Sequence, residues 1–324
     1  MTPFGPLHAH LPRLQALVAG DDALPTLPTA PIGSFGDDLA LRGKARLRVR
    51  VVAKGTGGRL RLDFRDSDTA SDADGFGLDE DDLRLASVLA LAAALGTEPD
   101  RRWLDHLDVL HEAGSWVGGV AASDPGRRAF SLARAFDAVL GALAASWPGR
   151  VGAGSNTVGA VVELRADDDQ LCEAIPGGEG ATPSRSGRSG WTSPILGMVS
   201  TAAFVPWLSI TQRSRERSGG GGARVGSDGV IRTYAVTRDV TALVGIDRVS
   251  NPPHGIDRAG PPRPSVAVRI DGSGSSEPVT PWTPFTLTAG STLHIETAGG
   301  AGHGFGGYGD IEFDPSDWFG SKDD

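Results

Sequence analysis

Three dense clusters of glycine constrain this chain more strongly than any other feature of its sequence. They lie at 176–180 (PGGEG), 219–222 (GGGG) and 299–309 (GGAGHGFGGYG). Glycine allows backbone conformations and close backbone approaches that are closed to other residues, and it does so at an entropic cost. The clusters therefore predict either tight turns between strands or a site or interface that is built from backbone atoms.

Short apolar runs separate the glycine clusters from residue 151 onward, which is typical of a β-rich region. The predicted strands are 157–164, 171–175, 230–236, 240–246, 265–270, 285–288 and 292–297. With the elements described next, they predict an α+β fold, in which a β-hairpin and buried helices precede a larger, glycine-rich and mostly antiparallel β region.

The hairpin is predicted before this β region. In 45–53 apolar side chains alternate with arginine, and 59–65 repeats the alternation with a period of two. The connection between them, 54–58 (KGTGG), supplies the glycines that a hairpin turn requires because its central residues take positive φ.

Two buried helices are predicted between the hairpin and the β region. The first runs to Leu95, with Asp79 or Asp81 as its N-cap and Gly96 as its terminator. The second begins near 124–125 (Asp-Pro), since proline is tolerated in the first turn of a helix, and ends at 148–149 (Pro-Gly). Its apolar residues form one stripe at helical spacing, which indicates a face that packs against the core.

The domain organisation follows from changes in composition and periodicity along the chain. Residues 1–44 carry six prolines and little periodicity, which predicts an extended arm rather than a folded unit. Residues 45–150 hold the hairpin and the helices, and 151–324 form the β-rich glycine-loop region. A single domain over 45–324 is the alternative.

Composition excludes several classes of function. A formal net charge of −9 argues against a nucleic-acid-binding surface. The most apolar stretch, 83–95, is well short of the roughly 20 residues that span a bilayer. Cys172 is the only cysteine, and no signal peptide is recognisable in 1–20, so we expect a cytoplasmic protein without membrane or nucleic-acid partners.

The familiar catalytic and metal-binding motifs are incomplete. Lysine is absent between residues 55 and 321, which excludes a Schiff base or a phosphate-binding P-loop from that range. His8 and His10 lie on the proline-rich arm without a neighbouring carboxylate, and the acidic stretch 66–82 has no glutamate at the offset that closes a calcium loop. We therefore predict no metal site on this chain.

The C-terminal glycine cluster resembles a known signature. The segments 293–300 (LHIETAGG) and 306–310 (GGYGD) are similar to the E-T-P-G-G … G-G-Y-G-D-P pattern that closes the hydantoinase B/oxoprolinase family, with an insert at 301–305. Three upstream segments resemble the same family in the same order. They are SGGGGAR … GVIRTY at 218–234, DR … PPHG at 247–255 and the glycine-rich loop at 175–187.

The resemblance implies a partner and a reaction class. Members of this family work with a hydantoinase A-like subunit, which binds ATP with Mg²⁺ and activates a carbonyl or enol oxygen by phosphorylation. The pair then hydrolyses the C–N bond of a cyclic amide or, in the related acetone and acetophenone carboxylases, joins bicarbonate to a ketone. We therefore expect a hetero-oligomer, with a small-molecule substrate and with ATP and Mg²⁺ bound on the partner rather than on this chain.

Two departures from the family pattern weaken the case for catalysis by this chain alone. The N-D-P-Y-x-G-G-T-H-type segment expected to bind metal is absent, and the H-T-H stretch after the glycine loop is replaced by the region 190–192 (GWT). A metal-bound water and a nearby acid–base group would both be missing. The metal that the family would use is therefore unknown here, and a companion chain would have to supply the missing segment.

Candidate site residues lie in or beside the glycine-rich loops. Glu179, Asp247, His254 and His303 are candidates for catalysis, although a neighbouring Asp-Arg pair is more typical of a structural ion pair and loop histidines are commonly idle. The candidates for substrate binding are Gly177, Gly178, Gly180, Arg185 and Arg248.

Three interpretations remain open from the sequence. The chain is a subunit of an ATP-dependent cyclic-amide hydrolase or ketone carboxylase, or it is a non-catalytic scaffold or regulatory member of such a complex that has lost the metal site. The third interpretation is a small-molecule binding protein that uses the glycine loops as a backbone-lined pocket.

Overall fold

A computed structural model describes residues 31–40, 46–56, 59–69, 75–188 and 205–306. Within these ranges the chain has the predicted α+β architecture, with three sheets, two α-helices and a short 3₁₀ helix at Arg101–His106. The helices are α1 (Glu80–Leu95) and α2 (Pro125–Ala144). The strands are β1 (Pro31–Ala40), β2 (Arg46–Thr56), β3 (Arg59–Asp63), β4 (Leu107–Leu110), β5 (Ala160–Ala166), β6 (Asp169–Ile175), β7 (Leu208–Arg215), β8 (Gly229–Val236), β9 (Val240–Ile246), β10 (Val266–Ile270), β11 (Ser276–Pro278), β12 (Phe285–Leu287) and β13 (Thr292–Glu296).

The first sheet has the order β1-β2-β3-β4. Antiparallel pairing of β2 with β3, in which Thr56 lies opposite Arg59, confirms the predicted hairpin. β4 joins it in parallel and was not predicted. β1 pairs with β2 although it lies within the range predicted as an extended arm, so residues 31–40 of that range are part of a sheet. The predicted domain boundaries remain predictions.

The two helices pack against each other and against the first sheet, and both begin where they were predicted to begin. The carboxylate of Asp79 accepts from the N–H of Asp82 at 2.8 Å and caps α1, which ends at Gly96 with a φ of 67°. Asp124 caps α2 in the same way. The prediction that α2 continues to 148–149 was wrong, since it ends at Ala144.

The other two sheets face each other as a sandwich. Their orders are β11-β10-β13-β8-β7 and β12-β9-β5-β6, and every pair is antiparallel, as predicted for this region. The seven predicted strands are all present with small shifts at their ends. β7 and β11 were missed, because β7 is a polar edge strand that is half exposed and β11 has only three residues.

The β12-β9-β5-β6 sheet is covered on both faces. Val162 of β5 points into the core of the sandwich, whereas its neighbour Val161 packs into the second core, which the two helices and the first sheet share. One sheet therefore belongs to both cores. No helix in the described part of the chain is long and apolar enough to cross a membrane.

Candidate functional site

The glycine clusters meet at one end of the sandwich in a glycine core, which we define as Gly178, Gly220, Gly226, Gly300 and Gly302. A Cβ atom on Gly226 would lie 1.8 Å from the carbonyl oxygen of Gly300, and one on Gly300 would lie 1.9 Å from that of Glu179. None of these five glycines has a positive φ. Close backbone approach, rather than turn geometry, therefore explains their presence.

Hydrogen bonds between backbone groups hold the glycine core together. Gly178 N–H donates to the carbonyl of Ala298 at 3.0 Å, and Gly220 N–H donates to that of Gly300 at 2.8 Å. Ser227 N–H donates to the carbonyl of Glu179 at 3.0 Å, which joins the first loop to the second. The three clusters consequently form one structure, as the interpretation of a backbone-built site or interface requires.

Asp228 braces the second glycine loop and was missed from the sequence. Its carboxylate accepts from the N–H groups of Ser218 and Gly219 at 2.8 and 3.0 Å. An aspartate that fixes a loop by accepting hydrogen bonds from its backbone leaves no periodic pattern in the sequence, so it could not be predicted in that way.

Glu179 lies at the rim of the glycine core, between two arginines. Arg185 donates to its carboxylate at 2.8 and 3.0 Å, and Arg188 donates through its Nε and its backbone N–H, both at 2.9 Å. Partial burial of Glu179 opposes ionisation, but the hydrogen bonds from the two arginines outweigh it and lower the pKa of Glu179 to about 2. This carboxylate is therefore ionised at neutral pH.

His303 fastens the third glycine loop to the rest of the chain. Its buried ring donates from Nε2 to the carbonyl of Pro148 at 2.8 Å, and its backbone bridges those of Arg224 and Ile256. This bond gives the ring a structural role and occupies Nε2, so proton transfer at that nitrogen would require the bond to Pro148 to break.

Asp247 and Arg248 belong to a buried charge cluster, which also contains Asp37, Arg134 and Asp137. Asp247 pairs with Arg134, whose other guanidinium nitrogen donates to Asp37 at 2.6 Å. Arg248 reaches Asp37 at 3.1 Å and Asp137 at 2.5 Å. Each member of the Asp-Arg pair thus forms ion pairs with residues far away in the chain, which favours the structural interpretation.

The pKa values of two aspartates in the buried charge cluster are shifted in opposite directions. Burial alone would raise the pKa of Asp37, but the charges of Arg134 and Arg248 prevail and lower it to about 2. At Asp137 burial prevails over Arg248 and Arg134 and raises the pKa to about 6. Asp137 therefore changes its protonation near neutral pH, while Asp37 stays ionised.

His254 lies beside this cluster, with its ring centroid 4.4 Å from that of Phe35. Both ring nitrogens are buried, and neither has a hydrogen-bond partner in the part of the chain that the structure describes. Burial lowers the pKa of His254 to about 4, although the nearby charge of Asp37 acts in the opposite direction. The imidazole is neutral at physiological pH.

The candidate residues thus fall into two neighbouring groups. Gly154 connects them, since its N–H donates to the carbonyl of His254 at 2.9 Å and its carbonyl accepts from the N–H of Ala301 at 2.9 Å. Around the glycine core lie Gly177, Gly178, Glu179, Gly180, Arg185 and His303, whereas Asp247, Arg248 and His254 lie in or beside the buried charge cluster.

Among the described residues, no three His, Cys, Asp or Glu side chains converge in a way that could hold a metal ion, and we derive no step through one. His8, His10 and the region 190–192 lie outside the described residues, as does the family-like segment after Gly306.

The family model for hydantoinase B/oxoprolinase matches residues 18–309. No match was found among curated proteins. Among solved structures, the chain is similar to an ATP-dependent caprolactamase from Pseudomonas jessenii, with a TM-score of 0.65 and 14% identity over 94% of this chain and 55% of that one.

A second solved structure is the nucleotide-free form of an acetone carboxylase, an enzyme of ATP-dependent acetone carboxylation. It matches with a TM-score of 0.64 and 14% identity over 92% of this chain and 47% of that one. The chain therefore spans about half the length of the structures that it resembles. Since the family model covers most of the sequence, this chain is a member of the hydantoinase B/oxoprolinase family.

Proposed function

We propose that the chain is a cytoplasmic subunit of an ATP-dependent enzyme that opens a cyclic amide or carboxylates a ketone. The observation that carries the proposal is the family match over residues 18–309. The names of the two similar structures, a caprolactamase and an acetone carboxylase, both include dependence on ATP, which supports the reaction class.

The chemistry requires a partner chain. An unstrained amide is a poor electrophile, and phosphorylation of its oxygen lowers the barrier to attack at the carbon. The sequence lacks lysine between residues 55 and 321, so this region does not supply the lysine of a P-loop. A hydantoinase A-like subunit would bind ATP with Mg²⁺ and phosphorylate the substrate, and the two chains would form a hetero-oligomer.

The rim of the glycine core is the place where this chain would contact the substrate. Gly177, Gly178 and Gly180, which were predicted to bind substrate, are buried against neighbouring segments and would position Glu179, whereas Arg185 offers an exposed guanidinium. Asp247, Arg248 and His254 are too deeply placed for contact with a substrate at that rim, and they would act by holding the loops in position.

A non-catalytic scaffold or regulatory subunit is the second candidate. It is favoured by the engagement of the candidate catalytic groups, since Glu179 is held by Arg185 and Arg188 and His303 by the carbonyl of Pro148. In that case the chain would retain the fold and the partner interface, while another chain carries out the reaction.

The test is to co-express the chain with a hydantoinase A-like chain from its native host and to isolate the complex. ADP release is then measured with caprolactam, hydantoin, 5-oxoproline and acetone with bicarbonate. We expect release that depends on one of these substrates and on both chains. Glu179→Gln and Arg185→Gln, compared with the exposed control Arg84→Gln on α1, report whether this chain contributes to turnover.

The outcomes separate the two candidates. Substrate-dependent ADP release that falls with Glu179→Gln or Arg185→Gln, but not with Arg84→Gln, supports a catalytic subunit. A stable complex whose turnover is unchanged by both rim substitutions supports the scaffold. Failure of the two chains to associate contradicts both forms of the proposal.

A further inference from the structure

Four arginines and two apolar side chains form an exposed surface on the outer side of the glycine core. We call it the arginine–phenylalanine surface, and it consists of Arg185, Arg188, Arg224, Val225, Arg258 and Phe305. Backbone hydrogen bonds join its segments. Gly187 N–H donates to the carbonyl of Val225 at 2.9 Å, and Arg224 N–H donates to that of His303 at 2.9 Å. The surface is therefore one continuous part of the molecule.

The chain leaves the described part of the structure directly beside this surface. Backbone bridges fasten the segment 303–306 between the loop of Arg224 on one side and that of Ile256 on the other. Gly306 is the last described residue of this segment, and a Cβ atom on it would lie 2.6 Å from a backbone atom two residues before Arg224. Residues 307–324 consequently start next to the loop that carries Arg224.

The apolar members of the surface are unusually exposed. Val225 is 52% exposed and Phe305 is 53% exposed, and the guanidinium of Arg258 lies 5.8 Å from the ring centroid of Phe305. Exposed apolar side chains that are grouped and rimmed by polar groups mark sites of interaction, whereas single ones need no explanation. The surface therefore has the character of one that another segment covers.

The arginines of the surface are only partly neutralised. Glu179 already pairs with two of them. Arg224 donates to the carbonyl of its own neighbour at 3.4 Å and Arg258 lies over an aromatic ring, and neither forms an ion pair within the described ranges. With Glu179 and Asp257 counted against the four arginines, two positive charges are in excess.

Residues 307–324 carry charge of the opposite sign. They hold six carboxylates and one lysine, which is an excess of five negative charges. In 310–314 (DIEFD) acidic residues alternate with apolar ones. Because alternate side chains of an extended segment share a face, this stretch can present three carboxylates together.

Covalent attachment favours this segment over any separate chain as the occupant of the surface. Asp310 follows Gly306 by four residues, so an extended chain keeps it within about 14 Å of that glycine. A segment tied this closely meets the surface at an effective concentration on the order of millimolar. A separate acidic chain of equal intrinsic affinity would need a comparable concentration to displace it.

We propose that the acidic segment 310–314 binds the arginine–phenylalanine surface of its own chain, with carboxylates paired to Arg224 and Arg258. Complementary charge selects the segment, and its apolar residues reduce the exposure of Val225 and Phe305. The inference goes beyond the proposed function and does not depend on it, because every group that it invokes belongs to this chain.

The test measures how fast chymotrypsin cleaves the full-length chain after Phe313, inside the segment, with mass spectrometry to locate the cut. A synthetic peptide of residues 306–324 gives the rate for the same bond when nothing covers it, and the ratio of the two rates is the protection. We expect protection of about fivefold or more at low salt. It should decrease with salt, since the Debye length falls from about 30 Å at 0.01 M to about 3 Å at 1 M.

Charge reversal identifies the surface that gives the protection. Arg224→Glu combined with Arg258→Glu should remove most of it, because attraction becomes repulsion at both positions. Adding Asp310→Arg and Glu312→Arg to that variant should restore at least about half, which a merely misfolded surface would not do. Arg84→Glu on α1 is the matched control and should leave the protection within about twofold.

Several outcomes overturn the inference. It fails if the wild-type chain is cleaved at the rate of the free peptide, if the double charge reversal stays protected, or if the exchanged charges restore nothing. Protection that increases with protein concentration would assign the surface to the segment of a second copy. Protection that arises only when a hydantoinase A-like chain is added would assign it to that partner. In both of these cases binding within one chain is refuted.

Discussion

Asp37 accepts hydrogen bonds from groups that reach it from two distant parts of the chain. Arg134 reaches it from α2, and Arg248 and Asn251 reach it from the loop after β9. Asp37 therefore links Arg134 to Arg248, while Arg134 also pairs with Asp247 and Arg248 also pairs with Asp137.

Asp37→Asn is therefore expected to lower the free energy of unfolding by about 1.5–3 kcal/mol, since hydrogen bonds from two charged guanidinium groups are weakened while Arg134 and Arg248 keep their ion pairs with Asp247 and Asp137. Urea denaturation monitored by fluorescence gives the value. Asp108→Asn is the control, because its carboxylate pairs with the exposed Arg59 at 2.7 Å and should contribute at most about 1 kcal/mol. An equal decrease in the free energy of unfolding in the two variants would contradict the prediction that the buried carboxylate contributes more to stability than the exposed one.

His254 predicts a dependence of stability on pH. Its folded pKa of about 4 lies below its ordinary value of 6.5, so the unfolded chain takes up the proton first and wild-type stability decreases as pH falls from 6.5 towards 4. His254→Phe lacks this contribution. Its free energy of unfolding should therefore rise by up to about 3 kcal/mol relative to that of the wild type as the pH falls across that window. Asp137 acts in the opposite direction, but it is present in both proteins and cancels in the difference.

Thermal unfolding of both proteins at several pH values provides the measurement. His254→Phe removes two buried nitrogens that have no hydrogen-bond partner among the described residues, so its absolute stability at neutral pH is not the quantity that matters. A constant difference between wild type and variant from pH 7 to pH 4 would contradict the buried, neutral imidazole.

The loops of the glycine core make a prediction at the scale of elements. Gly300→Ala would place a Cβ atom 1.9 Å from the carbonyl oxygen of Glu179, and the loops can only move apart to admit it. Overpacking of this kind costs about 1–3 kcal/mol, and it should also break the hydrogen bond between Gly220 and Gly300.

Gly149→Ala provides the matched control for the glycine core. No atom lies within 4 Å of a Cβ built at Gly149, and its φ is not positive, so the change should stay within about 0.5 kcal/mol. Chemical denaturation of the two variants checks the contrast. If Gly300→Ala is as stable as Gly149→Ala, close backbone approach does not explain the glycines.

Local signals in the sequence predicted the elements, but the site depends on contacts between distant residues. Gly96 and one of the two predicted caps, Asp79, mark the ends of α1, because capping involves only neighbouring residues. β1 could not be predicted, since its proline and glycines suppress the strand signal and its stability comes from pairing with β2. The contact between Asp37 and Arg248 joins residues 211 positions apart, and no periodicity in the chain encodes it.

At the scale of the whole molecule, the sheet shared by the two cores predicts one cooperative unfolding transition. Leu91→Ala perturbs the helical core and Leu293→Ala perturbs the core of the sandwich. Each change should cost about 2–5 kcal/mol and shift the same transition in calorimetry, because β5 contributes to both cores. Two transitions that respond separately to the two substitutions would contradict this prediction.

The glycine core also divides the positions at which this protein can vary. A side chain cannot be added at Gly226, Gly300 or Gly302 without a backbone clash, whereas Arg185, Arg188 and Arg224 project into solvent a few residues away. A saturation library across these loops should therefore separate into intolerant glycines and permissive rim positions. Such an arrangement lets recognition diversify by exchange of rim side chains while the backbone that carries them stays unchanged.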